Sequence, residues 1–148
     1  MNALEILKQD HQKVKGLFQE ATRSHDQNTR KELFDKIDTE LEIHAHIEET
    51  VFYPALEEHE ELKDMVAEAL EEHQEVKTLL EEIEELGSES HDFGAKFQEL
   101  RETVEHHVTE EEGEMFPKVR EVFDESELEQ LGQQLESAKG TEQHRKAG

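Results

Sequence analysis

Four of the ten histidines in this chain recur as two matching pairs. His11 opens "HQKVKGLF" and His73 opens "HQEVKTLL", 62 positions later; His44 opens "HAHIEETVFYP" and His107 opens "HVTEEEGEMFP", 63 positions later. In the second pair a glutamate follows at four residues, Glu48 after His44 and Glu111 after His107. Residues four apart on a helix share a face, so each His-x-x-x-Glu aims two donors at one spot. Imidazole nitrogen and carboxylate oxygen together suit a divalent first-row metal. The chain has no cysteine, which leaves His and carboxylate as the side chains to hold one. Other chemistries find no support: there is no Gly-rich phosphate loop, no Ser-His-Asp context, no His-Glu-x-x-His and no ferritin-type Glu-x-x-His.

The same positions fall where a core belongs. His11 interrupts the seam Leu4, Leu7, Val14, Phe18, and His73 interrupts Val66, Ala69, Val76, Leu80. His44 and Glu48 stand among Leu41, Val51 and Phe52. A buried carboxylate with no cation beside it is costly. Two metal ions shared between bridging Glu48 and Glu111, each also held by two of His11, His44, His73 and His107, remove that cost. In a chain with 40 acidic residues a single His-x-x-x-Glu is weak; its recurrence in register on apolar faces carries the reading. Glu112 is the alternative carboxylate of the last pair, but it points about 100 degrees from Glu111, which is preferred. His46 and His106 have no histidine counterpart in the other half and read as surface or supporting residues. His25, His59, His91 and His144 read as solvated, and Tyr53, the only tyrosine, as core or support rather than ligand.

Apolar residues at helical spacing define four long segments around these positions. They run through Leu4 to Phe18, Leu33 to Phe52, Val66 to Ile83 and Phe97 to Phe116, with no strand-like alternation. Short polar breaks at 24–29, 57–62 and 87–94 imply antiparallel neighbours, hence an all-α, up-down-up-down four-helix bundle. The expected organisation is a bundle over 1–123, built as duplicated hairpins (about 1–60 and 62–123). A short extra helix over 124–138, capped by Ser126 with Glu129, and a frayed tail over 139–148 follow it. Pro54 and Pro117 are each expected to kink or stop a helix.

Composition narrows the partners. The 148 residues suit one domain, with 32% hydrophobic and 38% charged residues and a formal net charge of −24. That charge repels phosphate backbones and anionic lipid, so neither nucleic acid nor a membrane surface is expected as partner. The sequence contains no apolar run long enough for a signal segment or a span, and a soluble cytoplasmic protein is expected.

Through "DHQKVKGLF", "HAHIEETVFYPAL", "EHQEVKTLL" and "HHVTEEEGEMFPKVR" the chain resembles the hemerythrin-like, His-His-Glu cation-binding family over roughly residues 1 to 123. The resemblance implies a four-helix bundle with two non-haem iron ions, bridged by two carboxylates and an oxo or hydroxo oxygen. His11, His44, His73 and His107 would be terminal ligands, with Glu48 and Glu111 the bridges. Oxygen-carrying members have a second histidine four residues after the third-helix ligand, where this chain has Lys77, and use a carboxylate five residues after the fourth-helix histidine, where it has Glu112. The pattern is closer to bacterial hemerythrin-like proteins, the mycobacterial type above all. What this implies is binding of, or reaction with, H2O2, O2 or NO, with catalase-like peroxide disproportionation as the reaction if the protein is an enzyme. An iron- or oxygen-sensing module whose fold responds to metal is the alternative, and a metal-free acidic bundle the plainest reading.

Overall fold

A computed structural model describes residues 1–147, with backbone alone at Ala147. Among these residues there are helices and turns and no strand. Helix α1 (Ala3–Arg23) starts at Asn2, whose side chain accepts from Glu5 N–H while Glu5 reaches back to the Asn2 N–H. That reciprocal pair satisfies two N-terminal amides. Asp26 caps α2 (Gln27–Ile47) through the Thr29 N–H.

At the two prolines, expected to kink or stop their helices, the chain widens. A π-helical turn over Glu48–Phe52 leads into α3 (Tyr53–Glu57), and a second over Glu111–Met115 leads from α5 (Phe93–Glu110) into α6 (Phe116–Val122). Tyr53 N–H reaches back five residues to the Glu48 carbonyl, and Phe116 N–H to that of Glu111. Pro54 and Pro117 have no N–H for a four-residue bond and would crowd the carbonyl of the preceding turn; the wider turn relieves both. Between the two halves a short 3₁₀ turn, Glu60–Leu62, enters α4 (Lys63–Leu86), which ends at Gly87 with φ 78°.

The last helix departs from expectation in two ways. Its cap is Asp124 with Glu127, the carboxylates each accepting from the other residue's N–H at 2.8 and 3.0 Å, rather than Ser126 with Glu129. And α7 runs over Glu125–Ala147, so the segment from 139 to 147 read as frayed is helical; Gly148 lies outside the described residues. Its final turns bury little apolar surface and are tied by ions: Lys139 to Asp10, Glu142 to His46 and Lys146 to Glu42.

Helix α1 packs on α2, α4 on α5, and α7 on α1, α2 and the first π turn. Inside, the apolar core is split into two. One cluster holds Leu4, Leu7, Phe52, Tyr53, Phe116 and the inner face of α7; the other holds Phe18, Phe34, Ile37, Ile83, Phe93 and Phe97. Leu70, one of the apolar residues at helical spacing, is 39% exposed.

Candidate metal centre

Between the two apolar clusters lies a polar layer made of the six residues singled out by spacing. His11, His44, His73, His107, Glu48 and Glu111 are all buried, Glu48 completely. Each imidazole turns Nε2 inward. Glu48 Oε1 lies 3.2 Å from His44 Nε2 and 3.1 Å from His73 Nε2; Glu111 lies 3.2 Å from His11 Nε2 and 3.4 Å from His107 Nε2. Donor atoms gather into two overlapping groups, His11 with His44, Glu48 and Glu111, and Glu48 with His73 and His107. The π turns begin at Glu48 and Glu111 themselves, so the widened backbone sits where the two carboxylates enter the layer.

The outer nitrogens are held by a second ring of carboxylates. Nδ1 of His11 is 2.5 Å from Glu112, of His44 3.0 Å from Asp10, of His73 2.8 Å from Glu49, and of His107 2.7 Å from Glu72. A carboxylate on Nδ1–H fixes that tautomer and leaves the Nε2 lone pair for a metal. This places Glu112 on the outer nitrogen of His11. Sequence reasoning missed Asp10, Glu49 and Glu72 as partners. The signal was present: an acid precedes His11 and His73, and an acid follows Glu48 and Glu111, at the repeat spacing.

Electrostatics show what the layer lacks. Burial opposes the charged forms of His44, His73, His107, Glu48 and Asp10. Even so, Glu48 and Asp10 raise His44 well above its ordinary value, Glu48 raises His73, and Glu111 with Glu48 pushes His107 up to about 9. Burial likewise pushes Glu48 up, but His44 and His73 outweigh it and hold the carboxylate well below its usual range. Burial raises Asp10 too, yet His44 and Lys139 together bring it below the ordinary value. Both oxygens of Glu48, Oε1 of Glu111 and Nε2 of His107 have no aligned hydrogen-bond partner among the described residues. Nitrogen and oxygen atoms that converge at 3.1–3.4 Å without aligned hydrogens leave lone pairs that a cation would satisfy, and the donor set fits a metal.

Beside the layer the two halves differ at the matched position of Tyr53 and Phe116. Tyr53 OH donates to Glu111 Oε2 at 2.7 Å and lies 3.2 Å from His73 Nε2, whereas its counterpart Phe116 stacks on His11 with ring centres 6.3 Å apart. On the side of the layer away from α7's apolar face, Val14, Leu41, Val76 and Val104 line a partly open chamber of about 40 Å³. Val108 also lines it, while Val51, Phe52 and Phe116 pack in the opposite cluster. A wider acidic cleft, bearing Asp38, Glu42 and Glu84, reaches Glu49 and His73 from outside, and exposed Lys77 lines it. His46 and His106 are exposed and paired with Glu142 and Glu110. His25, His91 and His144 are exposed, and His59 packs on Phe123.

A helical bundle whose core is interrupted by a buried His and Glu layer defines a metal-binding protein. The chain belongs to the hemerythrin HHE cation-binding domain family, whose model matches residues 2–119. It is 29% identical to an uncharacterised protein of Mycobacterium tuberculosis, over 91% of this chain and 83% of that protein. It is 32% identical to a DNA nickase of a Nostoc species over its whole length, and spans 42% of that protein. The crystal structure of a hemerythrin HHE cation-binding domain-containing protein from Mycobacterium kansasii superposes with a TM-score of 0.85 at 29% identity, covering 98% of this chain and 89% of the other.

Proposed function

We propose that the layer holds two iron ions and that the protein binds or reacts with a small oxidant, hydrogen peroxide, O2 or NO. His11 and His44 ligate one ion, His73 and His107 the other, and Glu48 and Glu111 bridge them. One observation carries this reading: two buried carboxylates with unpartnered oxygens face four imidazole Nε2 atoms, directly beside the 40 Å³ chamber. When bound, iron supplies one-electron chemistry and open coordination positions. The chain does the rest. Asp10, Glu49, Glu72 and Glu112 orient the rings, Tyr53 holds a proton at Glu111, and the valines exclude bulk water. A chamber of that size has room for a diatomic or a peroxide.

The antiparallel up-down-up-down order belongs to the same proposal, supported by the pairing of α1 with α2 and α4 with α5. No described helix is long and apolar enough to cross a membrane; a cytoplasmic location is proposed from the charge. The charge of −24 also argues against a DNA substrate, whatever the longer Nostoc protein does. Metal analysis of protein from iron-supplemented cells, followed by O2 release from peroxide, tests the proposal. About two irons per chain with O2 release support catalase-like chemistry; zero metal, or one zinc, overturns it.

A second reading is an iron-responsive binding module. The polar layer that divides the core favours it, because a core so divided leans on the metal for cohesion. Unchanged helicity and melting on metal removal would exclude it.

A further inference from the structure

The C-terminal helix reaches into the ligand layer at one point. From α7, Lys139 forms an ion pair with Asp10 Oδ1. Asp10 is buried, and its other oxygen, Oδ2, accepts from His44 Nδ1 at 3.0 Å. His44 Nε2 in turn faces Glu48 Oε1 at 3.2 Å. So a chain of contacts runs from α7 through α1 and α2 to the Glu48 carboxylate.

The other half has the same chain of contacts without the lysine. Glu72 holds His107 Nδ1 at 2.7 Å, but its further neighbours are His106, at 3.9 Å, and Glu110. Among the described residues no Lys or Arg pairs with Glu72. The difference lies outside the matched halves, because Lys139 comes from the helix that follows both of them.

We propose that Lys139 is a positioning residue of the metal centre: by anchoring Asp10 from α7, it holds His44 with Nε2 toward the layer, so that docking of the C-terminal helix sets metal affinity at the His11 and His44 position alone. The inference rests on the reading of the layer as a two-metal centre. An anchored carboxylate keeps one oxygen on Nδ1–H and restricts rotation of the ring, which lowers the ordering cost of ligation. Linkage makes the effect reciprocal, and metal at that position tightens α7 on α1.

Cobalt(II) titration of the metal-free full chain tests this, with bound metal counted by equilibrium dialysis and each position followed by visible absorption. The parent should take up two ions. Lys139→Met should weaken one of them about tenfold or more and leave the other as in the parent, and Lys139→Arg should restore it. Asp10→Asn, which keeps the volume, should repeat the one-sided loss and serves if Lys139→Met does not fold. A Lys139→Met chain with both affinities at parent values, or with both lowered together, overturns the inference and leaves the two-metal reading standing. A parent that binds no cobalt removes that reading, and this inference with it.

Discussion

The Nε2 atoms of His11 and His44 lie 3.2 Å apart, although the residues come from different helices and are 33 positions apart. Their rings meet edge-on with centres 4.9 Å apart at 68°, and His73 with His107 repeats the arrangement at 4.9 Å and 73°. Two inward lone pairs at that distance repel each other unless a proton or a metal lies between them. Two such corners, facing two carboxylates, make the pair of sockets proposed for metal.

Removing a bridge should empty both sockets. Glu48→Ala is expected to lose most of its metal by elemental analysis while keeping its far-UV helicity, because Glu48 is the one residue common to both donor groups. A Glu48→Ala chain that retains about two irons would sink the bridging role.

In the metal-free chain, stability should fall as pH rises above neutrality. His107 is raised from 6.5 to about 9, so its contribution to folding is complete below 6.5 and is lost as pH rises through about 9. His44 and His73 shift the same way. Metal binding must displace these protons, so metal affinity should increase over the same window. Melting temperatures of chelated protein between pH 6.5 and 9 check the first, and proton release on metal addition the second. A chelated chain with a flat melting profile would count against the charged layer.

Tyr53→Phe should leave the core volume intact and remove the one hydroxyl donor to Glu111. Burial first, then Glu48 and Glu111, pushes the phenol well above 10, so it remains a donor at neutral pH. The expected loss is about 1–2 kcal/mol, read by urea unfolding, with metal stoichiometry retained. Unaltered stability together with an unaltered optical spectrum would show that the hydroxyl is idle.

Asp38→Asn should stabilise the protein at neutral pH and above. Burial first and then Glu42 push Asp38 up to about 7, and its Oδ1 has no partner among the described residues. An acid raised in the folded state costs stability once both states are ionised, so the gain grows from pH 3.8 upward and is full above about 7. At a site partly exposed to solvent, the gain should be about 1 kcal/mol. Equal melting temperatures for the two proteins above pH 7 would refute it.

Gly132→Ala should destabilise α7 despite alanine's better helix propensity. A Cβ at 132 would stand 2.5 Å from the Met1 carbonyl oxygen and 3.0 Å from the Ala3 nitrogen, backbone atoms with no rotamer to move. Crowding of about 1–3 kcal/mol should exceed the propensity gain of about 1 kcal/mol. A more stable variant would mean that α7 does not press on the N-terminus.

Helical periodicity and the repeat were enough to identify an all-helical chain and to single out His11, His44, Glu48, His73, His107 and Glu111, which the fold gathers into one layer. The reason is local: spacing along a helix records which face is buried, and a polar residue on that face in both halves stands out. The partners of Nδ1 were another matter. Asp10 meets His44 and Glu72 meets His107 across helix pairs, Glu49 meets His73 and Glu112 meets His11 across others, and such meetings depend on how helices pack rather than on any one helix's period. The same holds for the chamber, which opens on the side of Val14 and Val104 instead of Phe52 and Phe116. It holds most clearly for the last turns of α7: their apolar content is too low to announce a docked helix, and only the folded bundle brings Asp10 and Glu42 within reach of Lys139 and Lys146.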